Sequence, residues 1–269
     1  MSLNSSPSSI EAIEREAWLD LFAAAPESVK AKFALRRDLL NGTPVLGSNI
    51  PIFEFNRAFV LDDRRIAVAS EAVDWLKKNA APNFALQLVA DGTTRELQSW
   101  ALQRGFIPQL HGWSKLIKNL VFSGDGPELK SEALELITDP DPAVYGQLVV
   151  HSFGLPEETK DWFGALVGRP NWTVYVALLN GEPVGSSALF VKDRWAWLGI
   201  DGTLEKARRR GVQAAMIQAR VKMARTLGAI SLTAETGRPE KLSDKHTSRD
   251  NFLRNGFLEG YQRLNLSQL

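Results

Sequence analysis

Seven consecutive residues, Arg208-Arg209-Arg210-Gly211-Val212-Gln213-Ala214, restrict this chain more than any other stretch. They follow a strand-like run, Trp195 to Thr203. They open a segment in which Val212, Ala215, Met216, Ala219, Met223 and Leu227 recur at helical spacing. The pattern predicts a long helix over 208–227. A helix start leaves backbone N–H groups unpaired and carries partial positive charge. Arginines there oppose the dipole by about 0.3–1 kcal/mol each, and a purely structural start would favour Asp or Glu. A pyrophosphate resolves the conflict, because it satisfies the donors and the dipole together. Gly211, lacking a Cβ, lets the anion approach the backbone. The arginines add charge-assisted contacts, one of them within reach of a ribose 3′-phosphate, and Val212 anchors the helix to the sheet below. Neither G-x-x-x-x-G-K-[ST] nor G-x-G-x-x-G occurs anywhere in the chain.

The surrounding pattern alternates strands and helices. Upstream, Ala133 to Thr138 reads as a strand, followed by helices at 143–153 and 157–167. Trp172 to Leu179, Val184 to Val191 and Trp195 to Thr203 read as strands joined by short turns, which suits antiparallel hairpins. Ile230 to Ala234 (strand), Ser248 to Asn255 (helix) and Leu258 to Leu266 (strand) complete this half. In the other half, helices are expected at 9–24 and 28–40, with Asn41-Gly42-Thr43-Pro44 breaking the chain. Strands at 52–61, 84–90 and 113–120 alternate with helices at 73–80 and 94–104. An internal echo links Phe84 to Leu120, containing Gly105-Phe106, with Ile230 to Leu266, containing Gly256-Phe257. Duplication of one fold explains it.

A chain of 269 residues has room for two domains. The expected division is a tail at 1–9, one domain at 10–122, a linker at 123–128 and a second domain at 129–269. The linker, Ser123-Gly124-Asp125-Gly126-Pro127, clusters turn formers without apolar residues. Basic and acidic side chains number 32 and 31, so no net field draws nucleic acid or anionic membrane. No apolar run approaches a membrane span. Without cysteine, disulfides, thiolate-bound zinc and a Cys nucleophile are excluded, and a cytoplasmic protein is the expectation. His111, His151 and His246 lack metal-ligand spacing.

The segment 208–214 resembles the R/Q-x-x-G-x-G/A signature of the GNAT superfamily of N-acetyltransferases. Ser248 to Phe257 is similar to that family's last helix, which often reads S-x-x-N-x-x-x-x-G-F. The resemblance covers roughly 130–266, and the element order agrees. It implies an α/β (α+β) fold, a mixed and mostly antiparallel sheet flanked by helices, here in two tandem copies. It implies acetyl-CoA as cosubstrate and a small-molecule or peptide amine as acceptor, in a monomer or homodimer. Asp201, Gly202 and Thr203 correspond to the strand end that pairs with the pantetheine arm and polarises the thioester. Arg208, Arg209, Arg210, Gly211, Val212, Gln213 and Ala214 correspond to the pyrophosphate turn, and Asn251 to a polar contact with the cofactor arm. Gln213 departs from the usual Gly or Ala.

The acid and base positions depart further. Where the family often carries Glu or His, eleven residues ahead of Arg208, this chain has Trp197. Where it often carries Tyr, four residues ahead of the Gly, it has Phe252. Neither moves a proton, which leaves Asp201, Glu235 or a water chain as base. Trp195 and Trp197 share one face of a strand, either lining an acceptor pocket or packing under a helix. The N-terminal half resembles a degenerate member of the same family. Asp62-Asp63-Arg64-Arg65 stands at its phosphate position, with no glycine and two carboxylates that repel a diphosphate. A non-catalytic sensor of CoA thioesters and an acyltransferase for longer chains are the alternatives.

Overall fold

The computed structural model describes residues 7–122 and 134–268. The expected linker at 123–128, Ala133 and the first six residues of the expected tail lie outside them. In the N-terminal half the elements are α1 (Pro7–Ala24), α2 (Glu27–Phe33), β1 (Arg36–Leu40), β2 (Thr43–Gly47), β3 (Arg57–Leu61), α3 (Ile66–Asn79), β4 (Ala85–Val89), α4 (Arg95–Leu102), β5 (Ile107–Pro108) and β6 (Trp113–Asn119). In the C-terminal half they are β7 (Leu134–Thr138), α5 (Pro142–Phe153), α6 (Lys160–Gly164), β8 (Trp172–Leu179), β9 (Glu182–Lys192), β10 (Trp195–Thr203), α7 (Val212–Thr226), β11 (Ser231–Gly237), α8 (Thr247–Arg254) and β12 (Leu258–Ser267).

Three local expectations need correction. The stretch 28–40 is a short helix followed by strand β1, which pairs with β2 through the turn Asn41-Gly42. Both turn residues have positive φ, 47° and 81°, as a tight hairpin requires. The run 52–61 is a single 3-10 turn, Phe53–Phe55, ahead of β3. Helix α7 begins at Val212, not Arg208: Arg209 and Gly211 have φ of 62° and 80°, which no α-helix continues through. The arginines therefore precede the helix.

The strands form one sheet in the order β1-β2-β3-β4-β12-β6-β11-β10-β9-β8-β7, with β5 attached to β12. All pairings are antiparallel except β3 with β4 and β10 with β11. Read outward from the centre, β12 mirrors β6, β4 mirrors β11 and β3 mirrors β10. The internal echo of the sequence is thus an internal two-fold arrangement, with the last strands exchanged. β6 of the N-terminal half pairs with β11, and β12 of the C-terminal half pairs with β4. Even the irregularities repeat. β3 and β10 each carry a register shift containing a β-branched residue at positive φ, Val60 at 60° and Ile200 at 56°.

Helix α1 crosses this junction. Its Ile13, Leu21 and Phe22 join Phe55, Tyr145, Trp162 and Trp197 in a core shared by both halves. The same helix buries Glu11 and Glu14 on the sheet. Arg263 on β12 bonds Glu11 and, at 2.8 Å, Glu14, while Lys115 on β6 pairs with Glu14. Arg57 on β3 reaches Glu14 at 3.4 Å, and Arg263 reaches Glu235 on β11 at 2.6 Å. Burial works to raise the Glu11 pKa, but Arg263, Lys115 and a hydrogen bond from Tyr261 outweigh it and hold it below the ordinary value. A lowered native pKa gives stability that is present above the unfolded value and lost as pH falls through the native one. The urea midpoint should therefore decline as pH drops below about 4.5, with a shallower decline in Glu11→Gln. Among the described residues, no helix is long and apolar enough to cross a membrane.

Candidate active site

The parallel strands β10 and β11 are paired from Trp195↔Ser231 to Leu198↔Ala234 and then part. β11 continues along β6 to Gly237, while β10 bulges at Ile200 and Asp201 before rejoining β9 at Gly202↔Ser186. The backbone of Gly199 to Thr203 is left without a strand on that side. In the N-terminal half the matching pair stays joined to Leu61↔Leu88, and no such fork opens there.

At the outer end of the fork lies a cleft of ≈ 1110 Å³ bounded by the β10 terminus, the turn before α7, and α8. Asp201, Gly202, Thr203, Arg208, Arg209, Gly211, Val212, Gln213, Ala214 and Asn251 all border it; Arg210 does not. The first bond of α7 runs from Ala215 N–H to Gly211 C=O at 3.0 Å, so the N–H groups of Val212 to Ala214 precede the helical ladder. Gly211 stands at the N-cap, and among the described residues no side-chain cap hydrogen bond forms there. A Cβ on Gly211 would meet nothing within 4 Å, so the space above the turn is open. Gln213 spans the cleft to α8, donating to Ser248 Oγ at 2.9 Å and accepting from Asn251 Nδ2 at 2.7 Å. Its length, where the family signature has Gly or Ala, ties the two helices together.

A diphosphate thioester fits this cleft on two counts: uncapped amides under open space, and a buried Ser152 Oγ at its edge with no partner among the described residues. Gly202 has no room for a side chain, since a Cβ would come within 2.5 Å of Ser152.

The N-terminal counterpart is built differently. Asp62 caps its turn, accepting from Arg64 N–H at 3.0 Å, and Asp63 accepts from Leu97 N–H at 2.8 Å. Carboxylates occupy the region that the C-terminal turn leaves open.

No family model matches the sequence. No curated protein matches it either. Solved structures do. A GCN5-related N-acetyltransferase from Kribbella flavida is 15% identical, with a TM-score of 0.62 over 96% of this chain and 95% of that one. Another from Sphaerobacter thermophilus is 14% identical, with a TM-score of 0.60 over 78% and 72%. A tandem GNAT protein from the clavulanic acid biosynthesis pathway is 15% identical, with a TM-score of 0.55 over 78% and 74%. The fold is that of the GCN5-related N-acetyltransferases.

In this GCN5-related fold a second cavity, ≈ 460 Å³, opens at the inner end of the fork and shares Asp201 and Ser248 with the first. Both halves build it. Trp18, Phe55 and Trp113 come from the N-terminal half, and Phe153, Trp197 and Phe252 from the C-terminal half. Trp197 thus lines a pocket, packing edge-on against Trp18 and Trp172 with ring centroids at 6.0 and 6.2 Å. Trp195 packs against the shared core instead. Gly199 exists for the Trp197 ring, which would lie 1.9 Å from a Cβ there.

The two carboxylates expected from sequence are both engaged. Asp201 accepts from both terminal nitrogens of the fully buried Arg220, one at 3.0 Å. Burial raises its pKa while Arg220 pulls the other way. Using it as a base would strip a buried cation of its partner, a loss of about 3–5 kcal/mol. In this arrangement it ties the bulged strand end to α7. Glu235 borders the inner cavity, with one oxygen committed to Arg263. Sequence reasoning missed Arg220, although a charge at helical spacing from Met216 on the apolar face of α7 was a readable signal.

Proposed function

We propose that the protein is an acetyl-CoA-dependent N-acetyltransferase acting on a small-molecule or peptide amine. The observation that carries the reading is the uncapped turn at Gly211, opening onto a cleft that joins an aromatic cavity through Asp201 and Ser248. Acetyl-CoA supplies an acyl group activated as a thioester. Val212, Gln213 and Ala214 present amides to its diphosphate, with Arg208 and Arg209 flanking. The free edge of β10 at Gly199 to Thr203 offers main-chain groups to the pantetheine arm and to the charge that develops on the carbonyl oxygen. The inner cavity holds the amine beside the fork, so most of the catalysis is proximity. The N-terminal half lends walls to that cavity and holds no CoA of its own.

Incubation with acetyl-CoA and a panel of amines should release free thiol only where an acceptor is present. Tight CoA binding with no thiol release from any amine would favour the sensor reading, which the proton-inert Trp197 and Phe252 support. Competition between acetyl-CoA and longer thioesters sets the acyl length.

A further inference from the structure

Four carboxylates border the inner cavity: Glu14, Glu54, Asp201 and Glu235. Three are spoken for. Glu14 contacts Arg57, Lys115 and Arg263, Glu235 contacts Arg263 and lies 3.9 Å from Lys115, and Asp201 is held by Arg220. Glu54 has no ion pair with any described residue, although it is half-buried in a largely aromatic pocket. Four basic side chains, Arg57, Lys115, Arg220 and Arg263, match Glu11, Glu14, Glu235 and Asp201 in number, and Glu54 is a further carboxylate beyond them.

The turn that carries it is held on both sides. Glu54 lies in the 3-10 turn Phe53–Phe55, between Ile52 and Asn56. Asn56 is fully buried and donates to Ile52 C=O at 3.0 Å, while its side-chain oxygen accepts from Ser48 N–H at 2.7 Å. Phe55 packs against Trp18, Phe22 and Trp162, with centroids at 6.1, 6.3 and 5.1 Å. A carboxylate carried on a turn anchored in this way, at an apolar wall, is placed for a cation rather than for solvent.

Resting on the acyltransferase reading above, we infer that Glu54, contributed by the N-terminal half, anchors the ammonium of an apolar or aromatic monoamine and removes its proton for transfer. The ammonium gives one proton to the Glu54 carboxylate. The nitrogen lone pair forms the new N–C bond to the thioester carbonyl, the C–S bond breaks, and its electron pair leaves on sulfur. The second nitrogen proton neutralises that thiolate, and Glu54 returns its own to solvent. The pairing gives the N-terminal half a chemical part beside its structural one: it supplies the base that Trp197 and Phe252 cannot.

Burial raises the Glu54 pKa, Glu235 adds to the rise, and Arg57 opposes it. Glu14 on α1, Arg57 on β3, Asp201 on β10 and Glu235 on β11 are the charged groups around it. A base that must be ionised gives kcat/KM an ascending limb, here above the ordinary carboxylate range.

The test compares wild type, Glu54→Gln and Glu54→Asp, using 2-phenylethylamine and its neutral isostere 2-phenylethanol. Binding is read from the fluorescence of the cavity tryptophans, and CoA affinity is measured in parallel. Wild type should bind the amine at least about tenfold more tightly than the alcohol, a preference that Glu54→Gln abolishes and Glu54→Asp partly keeps. With acetyl-CoA, Glu54→Gln should lose on the order of a hundredfold in kcat/KM together with the ascending limb. A Glu54→Gln enzyme that keeps the amine preference or the limb overturns the inference. So does a wild type that binds amine and alcohol alike. In either case normal CoA affinity leaves the acyltransferase reading standing, whereas absent CoA binding overturns that reading by itself.

Discussion

Replacing Arg263 with alanine is expected to destabilise the protein by about 3–5 kcal/mol, seen as a lower urea midpoint at unchanged slope. The guanidinium is 1% exposed and holds Glu11, Glu14 and Glu235 at once. Its removal leaves Glu11 and Glu14 buried and Glu235 mostly so, with only Lys115 and Arg57 as cations to face. The loss comes from the stranded charges more than from the bonds themselves. A double variant, Glu11→Leu with Arg263→Leu, should therefore lose less than the two single losses together. Additive losses would mean that the carboxylates reach water and that the network is not closed.

Glutamate at position 211 is expected to weaken CoA binding by more than about a hundredfold, or roughly 2.7 kcal/mol, by calorimetry. The substitution puts a carboxylate where three free amides await a dianion, and the side chain can satisfy those amides itself. No neighbour obstructs a Cβ there, so the fold should survive. The left-handed conformation at φ 80° adds a strain of about 1–2 kcal/mol for any L-residue. Gly211→Ala isolates that strain, and it should weaken binding far less than glutamate does. Unchanged CoA affinity in the glutamate variant would remove the diphosphate from this turn.

Much of the C-terminal half could be read from the chain. Periodicity located β8, β9 and β10 and the helix after them, because hairpin turns and apolar faces leave local marks. The residues named for the cofactor turn, Arg210 excepted, do border one cleft. What escaped was non-local or conformational. The positive φ of Arg209 is not written in its side chain, so the helix was expected four residues early. Helical spacing over 28–40 hid the Asn41-Gly42 hairpin, whose turn pair was visible but read as a break. Alternation establishes that β6 and β12 are strands, but not which neighbours accept them. Glu54 sits in no motif. Its importance depends on three other carboxylates being neutralised by cations from distant strands and helices, which no spacing rule reveals.

The traded strands have a mechanical consequence. Scission anywhere between the halves severs a covalent link and still leaves them interlocked, because each fragment has an inner strand embedded in the other's sheet. A C-terminal piece made alone would present β11 with an empty flank and β12 with nowhere to lie, inviting the same trade with a second copy of itself. Such a pair would regain a continuous sheet yet carry Trp113 and the 3-10 turn of the missing half in neither member. Two cofactor clefts could form, and both would face an acceptor chamber with a wall removed.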